Sequence, residues 1–255
     1  MKPGPADVLE AASRLRGRIR RTPVVRSDWL SSLCGADVWL KLENLQQEGS
    51  FKARGAFNAL MQAGFPRAVT ASAGNHGRAM AFAARELGIA LTVFTPAAAP
   101  RAKLDPIRAH GAALELCATY DEAEQRARAF ARDTGIPYVS PYNHRDVIAG
   151  AGTTGLEILE ELPAVDRLVA AVGGGGLISG IGLASAARAP HPDVIGIEAA
   201  ASPVFTSALA AGRLVEVDVQ PTLADGLAGN AETGSITFDL IRDMRIPVHA
   251  VGEEA

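Results

Sequence analysis

Three short stretches hold residues whose types and spacing could do chemistry. The first is LENLQQEGSFKARGA, Leu42 to Ala56, where Gly49 and Ser50 read as a turn and an N-cap opening a helix that carries Phe51, Phe57 and Leu60. Lys52 then falls in the first helical turn. Unpaired N–H groups and the positive end of the helix dipole disfavour an ammonium there, which biases the lysine towards a neutral, nucleophilic amine. A neutral amine is what imine formation needs. A lone lysine is usually a solvated surface residue, so its context decides.

The second stretch is ASAGNHG, Ala71 to Gly77, which leaves a strand beginning near Ala68 and enters a helix expected to start near Arg78. Small residues let the backbone approach a ligand closely, and Ser72, Asn75 and His76 add polar groups at a helix mouth already suited to a carboxylate or phosphate. Taken alone, it reads first as an ordinary capped turn. The third is Gly173 to Gly176, four glycines between an apolar run, Leu168 to Val172, and a helical pattern with Leu177, Ile178 and Ile181. Four glycines are entropically costly without a use. Without Cβ atoms the backbone can curl until several N–H groups converge on one anion, with the next helix dipole aimed at it. The run lacks the GxxxxGK[ST] of a triphosphate loop and departs from GxGxxG, so a dinucleotide is the weaker occupant. An activated lysine, a polar helix mouth and a phosphate cradle are the parts that an aldehyde cofactor with a phosphate tail requires.

The elements that must position these stretches are legible from Arg67 onward. Apolar runs predict strands at 68–71, 90–94, 113–117, 167–172, 194–198 and 248–251. Between them, apolar residues recurring every three or four positions predict helices at 79–87, 102–110, 121–133, 148–162, 178–187 and 236–242. Strands that read as continuous apolar runs require a sheet covered on both faces, which predicts a parallel, doubly wound α/β architecture. Ligands in such sheets sit beyond the carboxyl ends of strands, where the second and third stretches lie. Pro137 to Arg145, with two prolines and two tyrosines, reads as a crossing between two lobes.

Composition narrows the function classes. With 255 residues and 48% apolar content, the chain can bury a sizeable core. A net charge of −3 offers no basic field for nucleic acid or an anionic membrane, so small molecules are the expected partners. Cys34 and Cys117 lack the paired spacing of a disulfide framework or zinc site, which makes a reducing cytoplasm the expected location. No signal-peptide core or membrane-length apolar run is present in the sequence, and a soluble protein is expected.

The motifs KLENLQQEGSFKARGA, TASAGNHG, DVIAGAGTTGLEILEEL, VGGGGLISGI, VIGIE and LADGLA occur in that order over essentially the whole chain. Together they resemble the fold type II pyridoxal-phosphate enzymes, and within them the serine/threonine dehydratases (threonine ammonia-lyases). The resemblance implies an α/β fold of two domains like that of tryptophan synthase β, with open, twisted, mostly parallel sheets flanked by helices. A large cofactor-binding domain is implied at residues 1–66 and 145–255, its C-terminal part apparently missing, and a small mobile one at 67–144. Lys52 is implied as the catalytic Schiff-base lysine for pyridoxal 5'-phosphate, with Phe51 beside the ring and Asn75 on the ring hydroxyl. Gly173, Gly174, Gly175, Gly176 and Leu177 would bind the phosphate through N–H groups. Ser72, Ala73, Gly74, Asn75 and His76 would bind the substrate carboxylate. A homodimer is implied, without membrane or nucleic-acid partners.

The activity so implied is deamination of L-threonine, L-serine or both by β-elimination, giving a 2-oxo acid and ammonia. Ala53 follows the lysine where cysteine and threonine synthases usually carry aspartate. Ala73 stands where racemases resembling this chain place a proton-donating serine, which favours elimination over racemisation. Rival readings are a lyase of the same fold acting on hydroxyaspartate, diaminopropionate or an ectoine-derived amino acid, and a catalytically silent form. Some relatives bind a divalent cation through a glutamate at the position of Glu198 and a nearby aspartate. Here AAASPVF follows, so Glu198 is expected to end a strand and no metal site is expected. Relatives continue past the position of Ala255 to a strand whose serine, threonine or cysteine meets the pyridine nitrogen, so that partner is expected outside these residues.

Overall fold

A computed structural model of the chain describes residues 1–254. In chain order its elements are α1 (Pro5–Leu15), β1 (Val24–Arg26), α2 (Asp28–Cys34), β2 (Trp39–Lys41), α3 (Lys52–Ala63), β3 (Arg67–Ala71), α4 (Asn75–Leu87), β4 (Ala90–Pro96), α5 (Arg101–Ala109), β5 (Ala113–Cys117), α6 (Tyr120–Thr134), α7 (Arg145–Glu161), β6 (Arg167–Ala171), α8 (Gly176–Ala186), β7 (Asp193–Ala199), α9 (Val204–Ala211), α10 (Ile236–Asp243) and β8 (Val248–Val251). The six expected strands and six expected helices all form, with ends moved by a few residues. Helix α4 begins at Asn75 rather than near Arg78, because Gly74 takes the cap position and releases the chain into the helix three residues earlier. Asn75 and His76 therefore lie in a first helical turn, not in a loop.

The strands form two separate three-stranded parallel sheets, β3-β4-β5 and β6-β7-β8, and an antiparallel pair, β1-β2. In the first parallel sheet Val69 pairs with Thr92, and in the second Val169 pairs with Ile195. Strand β3 is buried along both faces beyond Arg67, as the continuous apolar run predicts. Strand β6 is not: its burial alternates and Val169 is 63% exposed, so one face of that strand is open. Leu168, Val172, Val194 and Val248 of the second sheet share a core with Ile148 of α7, Ile178 of α8, Phe205 of α9 and Ile241 of α10. A second core joins Phe57 and Leu60 of α3 to Met80 of α4 and Val93 of β4.

Helix α7 lies between α3 and α8 and fixes their separation through glycines. A Cβ on Gly150 would fall 2.5 Å from the carbonyl oxygen of Arg54 in α3, and one on Gly152 would fall 2.7 Å from that of Gly180 in α8. Backbone touches backbone at both crossings, which side chains would prevent. Lys52 opens α3 and the tetraglycine run opens α8, so these contacts determine how far apart those two features stand. No helix among the described residues is long and apolar enough to cross a membrane.

Candidate active site

Lys52 occupies the first position of α3, but the local chemistry differs from the expected cap. Two 3₁₀ turns, Glu43–Leu45 and Gln47–Gly49, precede the helix, Phe51 is its cap residue, and Ser50 is extended. The Ser50 hydroxyl is buried with no hydrogen-bond partner, so it does not cap the helix. The placement of Lys52 in the first turn nevertheless holds. Its residue keeps some surface open, yet the amine is enclosed closely enough for desolvation to lower it from 10.5 to about 8. Nζ donates to the carbonyl oxygen of Pro141 at 2.8 Å and lies 5.2 Å from the centroid of the Phe51 ring.

Two residues further on, Arg54 anchors the lysine's helix. Its guanidinium is fully buried, bonding Glu43 at 2.8 and 2.7 Å, Glu157 at 2.7 and 2.9 Å, and the Thr153 hydroxyl at 3.1 Å. Lys41 joins the same group, 2.7 Å from Glu157. Two cations meet two carboxylates, which leaves no net charge buried.

The stretch after β3 lies against Lys52. Ser72 is buried, and its hydroxyl accepts the Gly74 N–H at 3.2 Å. His76 is buried as well, and the hydrogen bonds assign its tautomer. The Thr70 hydroxyl donates to the Val139 carbonyl at 2.6 Å, so its oxygen accepts the His76 Nε2–H at 3.1 Å. Nδ1 is left proton-free and without a partner. Desolvation, followed by the nearby Lys52, pushes this imidazole well below its ordinary 6.5, so it is neutral. Asn75, beside it, is exposed, and Ala73 and Gly74 are half-buried.

The tetraglycine run follows β6 and opens α8. Gly175 adopts φ +81°, a left-handed conformation that favours glycine. A Cβ on Gly174 would fall 2.2 Å from the Tyr142 ring, and one on Gly175 would fall 2.8 Å from Phe205 and 2.9 Å from Thr237. Thr237 also donates to the Gly174 carbonyl at 2.9 Å. Among the described residues none supplies an acceptor to the N–H groups of Gly173, Gly174 or Gly175, and the first N–H groups of α8, from Gly176 and Leu177, have no helical partner. Free donors in a fixed curl at a helix N-terminus have the geometry that suits an anion.

One loop joins these parts: Pro141 receives the Lys52 amine, and its neighbour Tyr142 packs on Gly174 and Gly176. Lys52 and the tetraglycine run thus meet the same loop, and His76 reaches the segment before it through Thr70 and the Val139 carbonyl. Sequence reasoning missed Pro141, Tyr142 and Thr237. The composition of 137–145 marks an irregular segment without indicating that its main chain faces the lysine.

The profile of the family described as pyridoxal-phosphate dependent enzyme matches residues 15–255. The chain belongs to this family. It is 41% identical over 253 residues to the L-threonine ammonia-lyase of Thermotoga maritima, covering 97% of this chain and 63% of that one. It is 40% identical over 247 residues to the L-threo-3-hydroxyaspartate ammonia-lyase of a Pseudomonas species, covering 93% of this chain and 76% of that one. The structure of maize serine racemase superposes with a TM-score of 0.92 at 30% identity, covering all of this chain and 80% of that one. The chain spans less than two thirds of the length of the Thermotoga enzyme. This pyridoxal-phosphate family member carries Glu198 as a helix cap: its carboxylate accepts the N–H groups of Phe205 at 2.9 Å and Thr206 at 2.7 Å at the start of α9.

Proposed function

We propose that this chain deaminates a hydroxy amino acid, L-threonine or L-serine, by β-elimination to a 2-oxo acid and ammonia, with pyridoxal phosphate held at Lys52. The observation that carries the reading is a desolvated amine, lowered to about 8, joined through Pro141 and Tyr142 to a curl of free N–H donors. Those two features fit the cofactor's aldehyde and phosphate respectively. Gly173, Gly174, Gly175, Gly176 and Leu177 would hold the phosphate, Asn75 the ring hydroxyl, and Phe51 would flank the ring. When bound, the cofactor supplies the electron sink for charge developing at the substrate α carbon.

The chain's own groups supply the rest. The Lys52 amine, neutral for an appreciable fraction of the time at neutral pH, removes the α proton. The N–H groups of Ala73, Asn75 and His76 hold the substrate carboxylate, those of Ser72 and Gly74 being spent on the Phe94 carbonyl and the Ser72 hydroxyl, and the first turn of α4 adds its dipole to that interaction. Neutral His76 adds no charge there. Ala73 bears no ionisable or hydroxyl proton, which supports elimination over racemisation. The names of the two ammonia-lyase relatives support that chemistry and leave two substrate classes to be distinguished, monocarboxylic hydroxy amino acids and hydroxyaspartate, while the serine racemase neighbour makes racemisation the competing reaction to assay. Further elements of this reading are a large domain at 1–66 and 145–255, a mobile domain at 67–144, a homodimer and a cytoplasmic location.

Incubating purified protein with pyridoxal phosphate, reducing with borohydride and mapping the added mass tests the attachment, with Lys52 the expected site. Keto-acid and ammonia release should then be greatest with threonine or serine. Larger release from 3-hydroxyaspartate would assign the second substrate class, and no release with any hydroxy amino acid would overturn the reading.

A further inference from the structure

Pro141, whose carbonyl receives the Lys52 amine, lies in a loop without regular structure, so its orientation must be imposed from outside. Glu232, 91 positions further along the chain, bonds the residues on either side of Pro141. Only 4% of its side chain is exposed. One carboxylate oxygen accepts the Ser140 hydroxyl at 2.5 Å, and the other accepts Asn143 Nδ2 at 2.9 Å and the guanidinium of Arg128 on α6. The Glu232 N–H donates to the Tyr142 hydroxyl at 2.8 Å. Ser140 Oγ in turn accepts the Asn143 N–H at 3.0 Å, and Asn143 Oδ1 accepts the Ile236 N–H at 2.9 Å. The residues flanking Pro141 on both sides therefore depend on one buried anion.

A buried ion pair is a weak means of stabilising a loop, because apolar residues of similar volume often do as well. What charge-assisted hydrogen bonds provide is direction. We infer that Glu232 is a positioning residue, which through Ser140 and Asn143 aims the Pro141 carbonyl at the Lys52 amine and through Arg128 ties that aim to helix α6. The inference rests on Lys52 being the reactive amine. The groups facing that amine are the Pro141 carbonyl, the Phe51 ring and neutral His76.

The test uses the protein without cofactor or turnover. Competitive methylation with formaldehyde and cyanoborohydride, read by peptide mass spectrometry between pH 6 and 10, reports the free-amine fraction of Lys52 against the chain's three other lysines. Wild-type Lys52 should show its inflection near 8. Glu232→Gln keeps an acceptor for Ser140 but turns an amide N–H₂ towards two donors, Asn143 and Arg128. The loop should loosen, water should reach the amine, and the inflection should rise by about one unit, a roughly tenfold loss of free amine at neutral pH. Adding Asn143→Asp reverses donor and acceptor in that pair, keeps an acceptor for Ile236 and returns a carboxylate to the neighbourhood of Arg128. The double variant should recover the wild-type inflection. An unshifted inflection in Glu232→Gln, or no recovery in the double variant, would overturn the inference. If the single variant does not fold, Ser140→Ala removes one arm without changing charge and carries the same expectation and the same refutation. A wild-type Lys52 that titrates like the other three would refute Lys52 as the reactive amine as well, and no variant is needed to see it.

Discussion

A lysine ammonium that loses its proton at 10.5 leaves roughly three amines in ten thousand neutral at pH 7, whereas one lowered to about 8 leaves roughly one in ten. Desolvation of Lys52 therefore raises the concentration of nucleophile by roughly 300-fold without any neighbouring base. The rate of pyridoxal phosphate attachment should accordingly climb with pH through an inflection near 8, read as growth of the cofactor's absorbance shift in stopped flow. Lys52→Arg, which retains the charge and cannot deprotonate, should abolish that shift and lower β-elimination by roughly 10²–10⁴-fold or more. Arg54, two residues away, acts differently. Removing its guanidinium leaves Glu43 and Glu157 facing each other with Lys41 as their remaining cation, so Arg54→Met should cost about 3–5 kcal/mol in urea unfolding. Arg54→Lys should recover little of this, because a single ammonium cannot span two carboxylates and a hydroxyl in the same plane.

At the scale of elements, the distance between the amine and the anion cradle is a distance between helices. Gly180 faces α7 so closely that a Cβ would lie 2.5 Å from the Gly152 nitrogen and from the Ile148 carbonyl. Gly180→Ala should force α8 outward, destabilise the fold by about 1–3 kcal/mol and weaken phosphate binding, because the tetraglycine run moves with the helix it opens. Differential scanning calorimetry and a cofactor titration of the same sample check both effects. The sequence shows why such contacts are only half legible. GAGTTG in α7 and GLISGIG in α8 display the small residues, yet nothing local says that Gly150 meets α3 while Gly152 meets α8. The parallel strands are readable because each centres on a short apolar run rich in Val, Ile, Leu and Ala, set between longer stretches of helical spacing. The strands β1 and β2, three residues each, carry no such period, and α1, α2 and α9 were not separated from the irregular chain around them. Ser50 illustrates the opposite case. Its type and place fit a cap, but the 3₁₀ turn ending at Gly49 delivers the chain extended, and Phe51 takes the cap position. Pro141 and Glu232 were illegible for a different reason: one acts through its main chain, and the other meets its partners from about 90 residues away.

For the molecule as a whole, the same burial that activates Lys52 should appear in the pH dependence of stability. In the unfolded chain this lysine is protonated up to 10.5, while in the folded protein it is neutral above about 8. Between those values the unfolded state binds the extra proton, so stability rises with pH across that window and is lost as pH falls from 10.5 towards 8. Above pH 10 the trend should reverse. Tyr138 and Tyr142 are pushed up from 10.0 by desolvation, so there the unfolded state sheds protons that the folded state keeps. On the acid side His76, held well below 6.5, subtracts stability as pH falls beneath that value, and the lowered carboxyls of Asp7, Glu48 and Glu157 do so as pH falls below about 4. The rising limb between 8 and 10 is thus assigned to one residue, and Lys52→Met, which fills similar volume without an ionisable group, should flatten it while leaving the alkaline fall and the carboxyl step in place; the His76 step, set in part by the Lys52 charge, should shrink. Urea midpoints at half-unit intervals from about pH 2 to 11 give the comparison, and a rising limb that survives in Lys52→Met would mean that the enclosed amine assigned to Lys52 belongs to another group.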